Sequence, residues 1–354
     1  MKRGHFERLS PRCPACASRA PLAVLREARG DLASLEEGAL VCTHAACRRE
    51  FPVIDGMPLL VRDLGLHVRD QWTALAGRED LAAETESALG DAYGPGSRED
   101  ALRQHVSGYA FDHYGEFDPA ETERDPAPGS VVRLLEALWS AAGALPSGPV
   151  LELGCSVGRA TFELARLSGR EALGVELHHG KLRLAARVLR TGRVRYARRR
   201  VGLVYDRREF PATLPAAERV DFWIADAAAL PFAEGTFAAV VALNLLDCAH
   251  APLDVLREAA RVLAPGGKLL AATPYDWSSQ ATPVQHWLGG HSQRGPGGGA
   301  SEPVLRALLT RGAHPQSIEG LELARDHDGL PWHVRLHDRS SVRYRCHGVI
   351  ATRA

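Results

Sequence analysis

The stretch Val150-Leu-Glu-Leu-Gly-Cys-Ser-Val-Gly158 leads from an apolar segment into a glycine-containing turn. Glu176 ends the next strand-like segment, which begins at Ala172. In a strand-turn-helix unit, glycines let the backbone approach a ligand, and an acidic residue that ends the following strand accepts hydrogen bonds from ribose hydroxyls. The stretch therefore predicts a nucleoside-binding crevice at the carboxyl ends of parallel strands.

The turn also indicates the charge of the ligand. Its spacing, Glu152-x-Gly154-x-x-x-Gly158, differs from the G-x-G-x-x-G pattern of pyrophosphate-binding turns. An acidic residue inside the turn disfavours a dianionic ligand and favours a cation. S-adenosylmethionine, which carries an ammonium and a sulfonium group, is such a cation.

These residues resemble the first two motifs of class I S-adenosylmethionine-dependent methyltransferases. The resemblance continues through the blocks 225–232, Ala-Asp-Ala-Ala-Ala-Leu-Pro-Phe, and 261–267, Arg-Val-Leu-Ala-Pro-Gly-Gly. It implies that Glu176 holds the ribose, that Asp226 and Ala227 meet the adenine, and that the Gly154 turn faces the methionine part. The other predicted cofactor residues along the same rim are Glu152, Cys155, Gly158 and Asn244.

Strand-like and helix-like segments alternate in the second half of the chain. The pattern predicts strands at 150–154, 172–176, 220–225 and 238–243, and helices at 158–168 and 179–190. This order requires a parallel sheet with helices on both faces. The alternating segment 341–350 is expected to add an antiparallel strand. The predicted fold class is α/β, a Rossmann-like doubly wound sheet with an antiparallel C-terminal strand.

Four cysteines near the N-terminus have metal-ligand spacing. Cys13 and Cys16 form one knuckle, Cys42 and Cys47 form a looser one, and a helix-like stretch at 22–37 separates them. Two such knuckles predict a closed, structural tetrahedral zinc site. His44 could replace Cys42 or Cys47 as a ligand, but an exposed loop histidine is the favoured interpretation. The segment 51–60 resembles the ending of the small zinc-ribbon proteins that activate RNA and protein methyltransferases.

The chain is predicted to contain three parts: a zinc-ribbon domain at 1–62, a linker and helical cap at 63–129, and a methyltransferase domain at 130–354. The cap contains Tyr109, His113 and Tyr114 within a few residues. These side chains could form a lid over the site, or they could be the apolar face that docks the cap. Tyr109 and Tyr114 are candidate substrate-binding residues.

A narrower resemblance concerns the acceptor. The segments 113–115, 244–247, 273–277 and 287–290 look like the methyltransferase domain that acts on 4-mercaptohistidine in ovothiol synthesis. This implies N-methylation of a small histidine-like thiol. A carboxylate could accept a hydrogen bond from the acceptor's imidazole, so Asp247 is the first catalytic candidate, although it could instead cap the following helix. The other candidates are His113 and Tyr275 for catalysis and Trp277 and Trp287 for substrate binding.

Charge and composition limit the partners. The 43 basic and 43 acidic residues balance, so no global field attracts DNA, RNA or an anionic membrane. The arginine-rich segment 193–208 is interpreted as a solvated face, or alternatively as an RNA patch. The first residues lack a secretory signal, which predicts cytoplasmic residence. A small-molecule acceptor is expected, and the alternatives are an RNA base methyltransferase and a non-catalytic cofactor-binding activator.

Overall fold

The computed structural model describes residues 1–63, 95–122 and 125–354 of the chain. The strands are β1 (Leu22–Gly30), β2 (Leu35–Cys42), β3 (Glu50–Ile54), β4 (Met57–Leu60), β5 (Val150–Leu153), β6 (Ala172–Glu176), β7 (Arg193–Val201), β8 (Val204–Pro211), β9 (Val220–Ala225), β10 (Phe237–Leu243), β11 (Leu263–Thr273), β12 (Leu321–His337) and β13 (Ser340–Arg353). The helices are α1 (Arg3–Leu9), α2 (Arg98–Tyr114), α3 (Ser130–Ala142), α4 (Arg159–Ser168), α5 (His179–Thr191), α6 (Pro252–Val262) and α7 (Ser301–Leu308). Over these same ranges, no helix has the length and apolar character needed to cross a bilayer.

All strands except β7 and β8 form one mixed sheet in the order β1-β2-β3-β4-β9-β6-β5-β10-β11-β13-β12. The strands from β4 to β11 in this order run parallel, and β13 is antiparallel to both β11 and β12. Strands β5, β6, β9 and β10 are buried along their whole length. This is expected of parallel strands that helices cover on both faces.

The two faces of the sheet bury separate apolar cores. Helices α3, α4 and α5 cover one face, where Leu134, Phe162 and Leu182 are buried. Helices α6 and α7 cover the other, where Leu256 and Leu305 are buried. The predicted Rossmann-like α/β class is confirmed, including the antiparallel strand near the C-terminus.

The N-terminal segment extends this sheet. Strands β1 to β4 form an antiparallel meander, and β4 then pairs in parallel with β9, with Leu59 opposite Ile224 and Leu60 opposite Ala225. The division at residue 62 stays a prediction, since the hydrogen-bonded sheet continues across it. The linker and cap assigned to 63–129 fall partly on 64–94 and 123–124, which lie outside the described residues.

The helix expected at 22–37 is wrong. This region forms strands β1 and β2, joined by a turn in which the Asp31 carboxylate accepts hydrogen bonds from the backbone N–H groups of Ala33 and Ser34. Pairing of β2 with both β1 and β3 satisfies the backbone of these residues across strands. Tertiary pairing therefore overrides a local pattern that resembled a helix.

Buried Asp221 on β9 fastens the N-terminus of the chain to the sheet. Its Oδ2 accepts hydrogen bonds from the backbone N–H of Lys2, at 2.8 Å, and from the indole Nε1 of Trp223, at 3.1 Å. His5 Nδ1 lies 3.7 Å from the same oxygen. This carboxylate thus joins α1 and the residues before it to strand β9.

We expect Asp221→Ala to destabilise the protein by about 2 to 3 kcal/mol, because it leaves two buried donors without an acceptor. Urea unfolding followed by circular dichroism measures this change. Glu218→Gln is the control, since Glu218 is close in sequence and its side chain is 71% exposed. Equal unfolding midpoints for the two variants would contradict the anchoring role of Asp221.

Candidate cofactor and acceptor site

A cavity of about 570 Å³ opens at the carboxyl ends of β5, β6, β9 and β10. This is the edge at which parallel α/β sheets bind ligands, and the volume suits a ligand of nucleoside size. Of the predicted cofactor residues, those that line the cavity are Glu152, Gly154, Cys155, Glu176, Asp226, Ala227 and Asn244.

Gly158 is a packing residue in the turn between β5 and α4. Its φ is +91°, and a Cβ at this position would lie 2.5 Å from the Cβ of Ala185 and 2.8 Å from the ring of Phe222. The glycine therefore allows α4 and α5 to pack closely against β9. Gly158 supports the turn from behind, whereas Gly154 lies at the cavity wall.

Two backbone groups hold the Glu176 carboxylate in place. Its Oε1 accepts a hydrogen bond from the N–H of His178, at 2.8 Å, and its Oε2 accepts one from the N–H of Ser156, at 3.1 Å. A carboxylate oxygen can accept more than one hydrogen bond, so capacity remains for hydroxyl groups of a ligand. Glu176 is thus oriented before any ligand arrives.

Glu152 is a second acidic group in the cavity wall. It is 3% exposed, and its carboxylate accepts a hydrogen bond from the hydroxyl of Thr161. Burial, reinforced by the nearby charge of Glu176, raises the pKa of Glu152 to about 7. A cation bound beside Glu152 would favour its ionised form.

The remaining polar groups of the cavity are compatible with S-adenosylmethionine. Ser156 Oγ is buried and has no hydrogen-bond partner within the described ranges, so it can bond a polar ligand atom. The Asp226 carboxylate accepts from the N–H of Ala228 at 2.9 Å, which orders the turn after β9. Four acidic residues, Glu152, Glu176, Asp226 and Asp254, line the cavity, which suits a ligand that carries an ammonium and a sulfonium group.

Side chains from distant parts of the sequence cover the cavity. Tyr109 on α2 stacks on Trp332 of β12 with ring centroids 6.4 Å apart, and Trp332 stacks on Tyr344 of β13 at 4.9 Å. Tyr109 and Trp332 line the cavity directly. Further lining residues that the sequence did not point to include Arg62, Ser156, Lys181, Cys248, His250 and Asp254. Lys181 follows Glu176 closely in the chain, a signal that could have identified it.

His113 also lines the cavity, in a neutral form. Its Nδ1 accepts a hydrogen bond from the backbone N–H of Arg159 at 3.1 Å, which leaves the ring proton on Nε2. Burial, together with the positive charge of Arg159, lowers the pKa of His113 to about 3. His113 can therefore donate a hydrogen bond through Nε2 but does not become charged near neutral pH.

Three predicted substrate residues lie away from the cavity wall. Tyr114 is fully buried, and its hydroxyl donates to the carbonyl of Val157 at 2.6 Å. Trp277 and Trp287 stack on each other with centroids 5.8 Å apart. Their indole N–H groups donate to Ser301 Oγ and to the carbonyl of Thr282. All three side chains hold loops and helices together around the site.

Asp247 and Tyr275 belong to a second polar cluster beside the cavity. Asp247 Oδ2 accepts from the N–H of Asp276 at 2.7 Å, whereas its buried Oδ1 has no partner in the described part of the chain. Burial raises the pKa of Asp247. The alternative role of Asp247 as a helix cap is wrong, because α6 starts at Pro252 without a side-chain cap.

Tyr275 takes part in a hydrogen-bonded chain within this second cluster. Its hydroxyl lies 2.6 Å from His347 Nδ1, and His347 Nε2 lies 2.7 Å from Asp326 Oδ1. His347 is almost completely buried. Neither His347 nor Asp326 was selected from the sequence, because they lie on β13 and β12, far along the chain from Tyr275.

The four N-terminal cysteines converge on one point. The sulfur atoms of Cys13, Cys16, Cys42 and Cys47 all lie within 4.8 Å of one another, with Cys16 and Cys42 3.7 Å apart and Cys13 and Cys47 4.0 Å apart. Tetrahedral zinc with sulfur ligands requires sulfur-sulfur distances of ~3.8 Å. The donor set and its spacing therefore fit zinc, and the exposed side chain of His44 is not part of the cluster.

Comparisons with known proteins address the central part of the chain. Residues 151–271 match the family model described as a methyltransferase domain. Methyltransferase GfsG of Streptomyces halstedii is 30% identical over 160 residues, which cover 45% of this chain and 49% of that protein. The O-methyltransferase cnsE of Penicillium expansum is 26% identical over 54% of this chain and 60% of that protein. The chain thus spans about half the length of the curated relatives it matches.

The solved structure of the CcbJ methyltransferase from Streptomyces caelestis is 20% identical to this chain. The alignment covers 66% of this chain and 100% of CcbJ, with a TM-score of 0.41. The family match covers the glycine turn, Glu176 and Asp226, which lie together at the cavity. Residues 151–271 are therefore similar to methyltransferase domains, and the match includes residues that line the cavity.

Proposed function

We propose that the whole protein transfers a methyl group from S-adenosylmethionine to a nitrogen of a small acceptor of the histidine-thiol type. The main support for S-adenosylmethionine as the cofactor is the Glu176 carboxylate, which two backbone N–H groups fix at the wall of the cavity. The acceptor class rests on the resemblance of segments 113–115, 244–247 and 273–277 to the domain that methylates 4-mercaptohistidine.

The aromatic lining of the cavity supports a small acceptor. Tyr109 and Trp332 stack on each other in its wall, and His113 on α2 lines it as well. Flat aromatic faces beside the strand ends favour a small planar acceptor that packs against them. An RNA base would have to enter past the same aromatic wall.

The arginine-rich segment forms the β7-β8 hairpin, and four of its arginines are ion-paired within the protein. Arg198 pairs with Glu121 and Asp338, and Arg208 pairs with Asp118 at 2.8 Å. The pairs Arg200–Asp206 and Arg193–Glu209 lie along the hairpin itself. This pairing favours the interpretation of the segment as a structural, solvated face.

S-adenosylmethionine held in the cavity would supply an electrophilic methyl carbon on its sulfonium; the new N–C bond would form as the S–C bond breaks, and S-adenosylhomocysteine would leave. In this proposal Glu176 accepts hydrogen bonds from the ribose, and Glu152 faces the cationic methionine part. Tyr109 and Trp332 keep the acceptor within reach of the methyl carbon, since positioning is the main requirement for such a displacement. His113 donates a hydrogen bond through Nε2 and stays neutral throughout.

The unpartnered Oδ1 of Asp247 is proposed to accept a hydrogen bond from an N–H group of the substrate. A neutral imidazole nitrogen already carries a lone pair, so a hydrogen bond to its other nitrogen selects the reactive tautomer and stabilises the charge that develops. Asp247 lies between the loops after β10 and β11, because its Oδ2 binds the N–H of Asp276. Reaching it requires the acceptor to extend from the cavity toward this second cluster.

Incubation of the protein with methyl-labelled S-adenosylmethionine and a cell extract tests the proposed activity. We expect label in small molecules, unaffected by ribonuclease, and at least a tenfold loss with Glu176→Gln, since that change weakens charge-assisted hydrogen bonds to the ribose (about tenfold or more). Glu234→Gln is the control, because its side chain is 71% exposed. Label in a ribonuclease-sensitive polymer would contradict the acceptor class, and no label in any fraction would contradict the activity.

The pKa of Glu152, raised to about 7, predicts pH-dependent cofactor binding. An ammonium ligand prefers the ionised carboxylate, so affinity for S-adenosylhomocysteine should rise about tenfold from about pH 6 to about pH 8. Titration calorimetry at these pH values measures it. Glu152→Gln should remove the pH dependence of the affinity between about pH 6 and about pH 8. If the variant keeps the same pH dependence, another group is responsible for it.

The same shift has a consequence for stability without ligand. The folded-state pKa of Glu152 lies above its ordinary value of 4.5, so the folded protein binds this proton more tightly than the unfolded chain does. The contribution is fully present below about pH 4.5 and is lost as pH rises toward 7. Between about pH 4.5 and 7, the free energy of unfolding should therefore fall less steeply with rising pH in Glu152→Gln than in the unmodified protein.

The cysteine cluster is proposed to hold one structural zinc ion per chain. We expect inductively coupled plasma mass spectrometry to detect zinc in the purified protein, and Cys42→Ser to lose the metal and to unfold at lower temperature. Cys248→Ser should retain zinc, since Cys248 lies at the cavity and outside the cluster. A purified protein that neither contains zinc nor gains thermal stability from it would refute the assignment.

A further inference from the structure

Lysine is scarce in this chain, and one of its lysines lies in the cavity wall. The sequence has lysine only at positions 2, 181 and 268, and arginine supplies the rest of its 43 basic residues. Lys2 Nζ donates to the carbonyl of Ala217 and Lys268 Nζ donates to Thr352 Oγ1, each at 2.8 Å. Lys181 lines the cavity and makes no hydrogen bond through Nζ within the residues that the structure describes.

Lys181 is held at a defined place in the cavity. It lies in the first turn of α5, just after Glu176 at the end of β6, and its Nζ is 5.3 Å from the centre of the Tyr109 ring. Burial lowers the pKa of Lys181, but the negative charge of Glu176 and weaker contributions nearby more than offset this, so the pKa is raised. The group is therefore an ammonium at neutral pH.

The Lys181 ammonium has three N–H donors, and an aromatic ring face satisfies none of them as a hydrogen bond does. The ammonium lies in the wall of the cavity, where its donors can reach a bound molecule. Oxygen atoms of a ligand that enters the cavity are therefore the expected acceptors.

The charges around Lys181 indicate which charged groups a ligand of this cavity carries. Glu152 and Asp226, two other acidic groups of the cavity wall, can face cationic parts of a ligand. An amino-acid ligand has an ammonium and a carboxylate close together, and the carboxylate requires a cation. Among the described lining residues, Arg62 follows β4 at the far edge beside β9, whereas Lys181 faces Tyr109 under the aromatic cover.

We propose that Lys181 binds the carboxylate of an amino-acid-like ligand in this cavity. Two ligands of the proposed reaction contain that group: the methionine part of the cofactor and a histidine-like acceptor. The inference therefore rests on the proposed function, and it adds a residue that selects for a carboxylate at the site. Lys181 is a binding residue in this proposal and takes no part in proton transfer.

The first arm of the test concerns the cofactor carboxylate. Titration calorimetry compares the affinities of S-adenosylhomocysteine and of its decarboxylated analogue for the unmodified protein, Lys181→Met and Lys181→Arg. If Lys181 binds the cofactor, the unmodified protein prefers the carboxylate form by about 10- to 100-fold, as for a charge-assisted hydrogen bond. Lys181→Met then brings the ratio close to one, and Lys181→Arg keeps part of the preference.

The second arm concerns the acceptor carboxylate. L-histidine and histamine, which differ in that group, are titrated into protein saturated with S-adenosylhomocysteine. If Lys181 binds the acceptor, the unmodified protein prefers histidine, and Lys181→Met loses the preference while its affinity for S-adenosylhomocysteine stays the same. Lys268→Met is the matched control in both arms, because it removes a lysine that bonds Thr352 on the neighbouring strand β13.

The outcomes separate this proposal from the proposed function. Carboxylate preferences that are the same in Lys181→Met and in the unmodified protein, in both arms, would overturn the role of Lys181 while leaving the methyltransferase assignment in place. Binding of neither acceptor probe would contradict only the acceptor class, and the cofactor arm alone would then decide the proposal. A protein that binds no S-adenosylhomocysteine would contradict both. Thermal unfolding of each variant confirms that it is folded.

Discussion

Strand β9 has hydrogen-bonding partners on both edges, and the arrangement of the whole molecule depends on this. On one side it pairs with β6, and on the other it pairs with β4, where Leu60 lies opposite Ala225. The backbone groups of a buried strand need partners on each edge. The N-terminal meander supplies them, so it becomes part of the main sheet and places the cysteine cluster beside the turn that carries Asp226.

This pairing also joins the N-terminal segment to the later half of the chain. The core on one face of the sheet includes Cys13, Cys42 and Phe51 from the N-terminal segment together with Trp223 and Phe232 from the catalytic half. Arg12 donates its backbone N–H to the carbonyl of Pro231, and Glu258 accepts hydrogen bonds from Leu230 N–H and from Arg261. The turn after β9 is therefore held by residues from both halves of the chain.

The electrostatics of the cavity follow from burial. Glu152 and Glu176 lie near each other with little solvent, which raises the pKa of Glu152, and the fixed N–H groups of Ser156 and His178 orient Glu176. A neutral His113 and a charged Lys181 face the same space. Such a set of charges discriminates between ligands by the position of their ammonium and carboxylate groups, because each buried charge requires a partner.

The sequence alone predicted strands β5, β6, β9, β10 and β13, helices α4 and α5, the glycine turn with Glu176 and Asp226, and the four clustered cysteines, but not the β7-β8 hairpin or strand β12. These features depend on local spacing and periodicity, which are visible without a structure. The helix predicted at 22–37 is wrong because pairing between strands decided the conformation. The partner residues lie too far along the chain for a local pattern to include them.

Only the tertiary structure separated the residues that face the cavity from those that support it. Gly158 and Tyr114 pack in the core, whereas Trp332, far along the chain, reaches the cavity and stacks on Tyr109. The position and charge of Lys181 depend on the Tyr109 ring and on Glu176, which belong to different elements of the fold. The physical reason is that burial and hydrogen-bond partners are set by contacts between distant segments, whereas the local sequence sets only which residues share a face of a helix or strand.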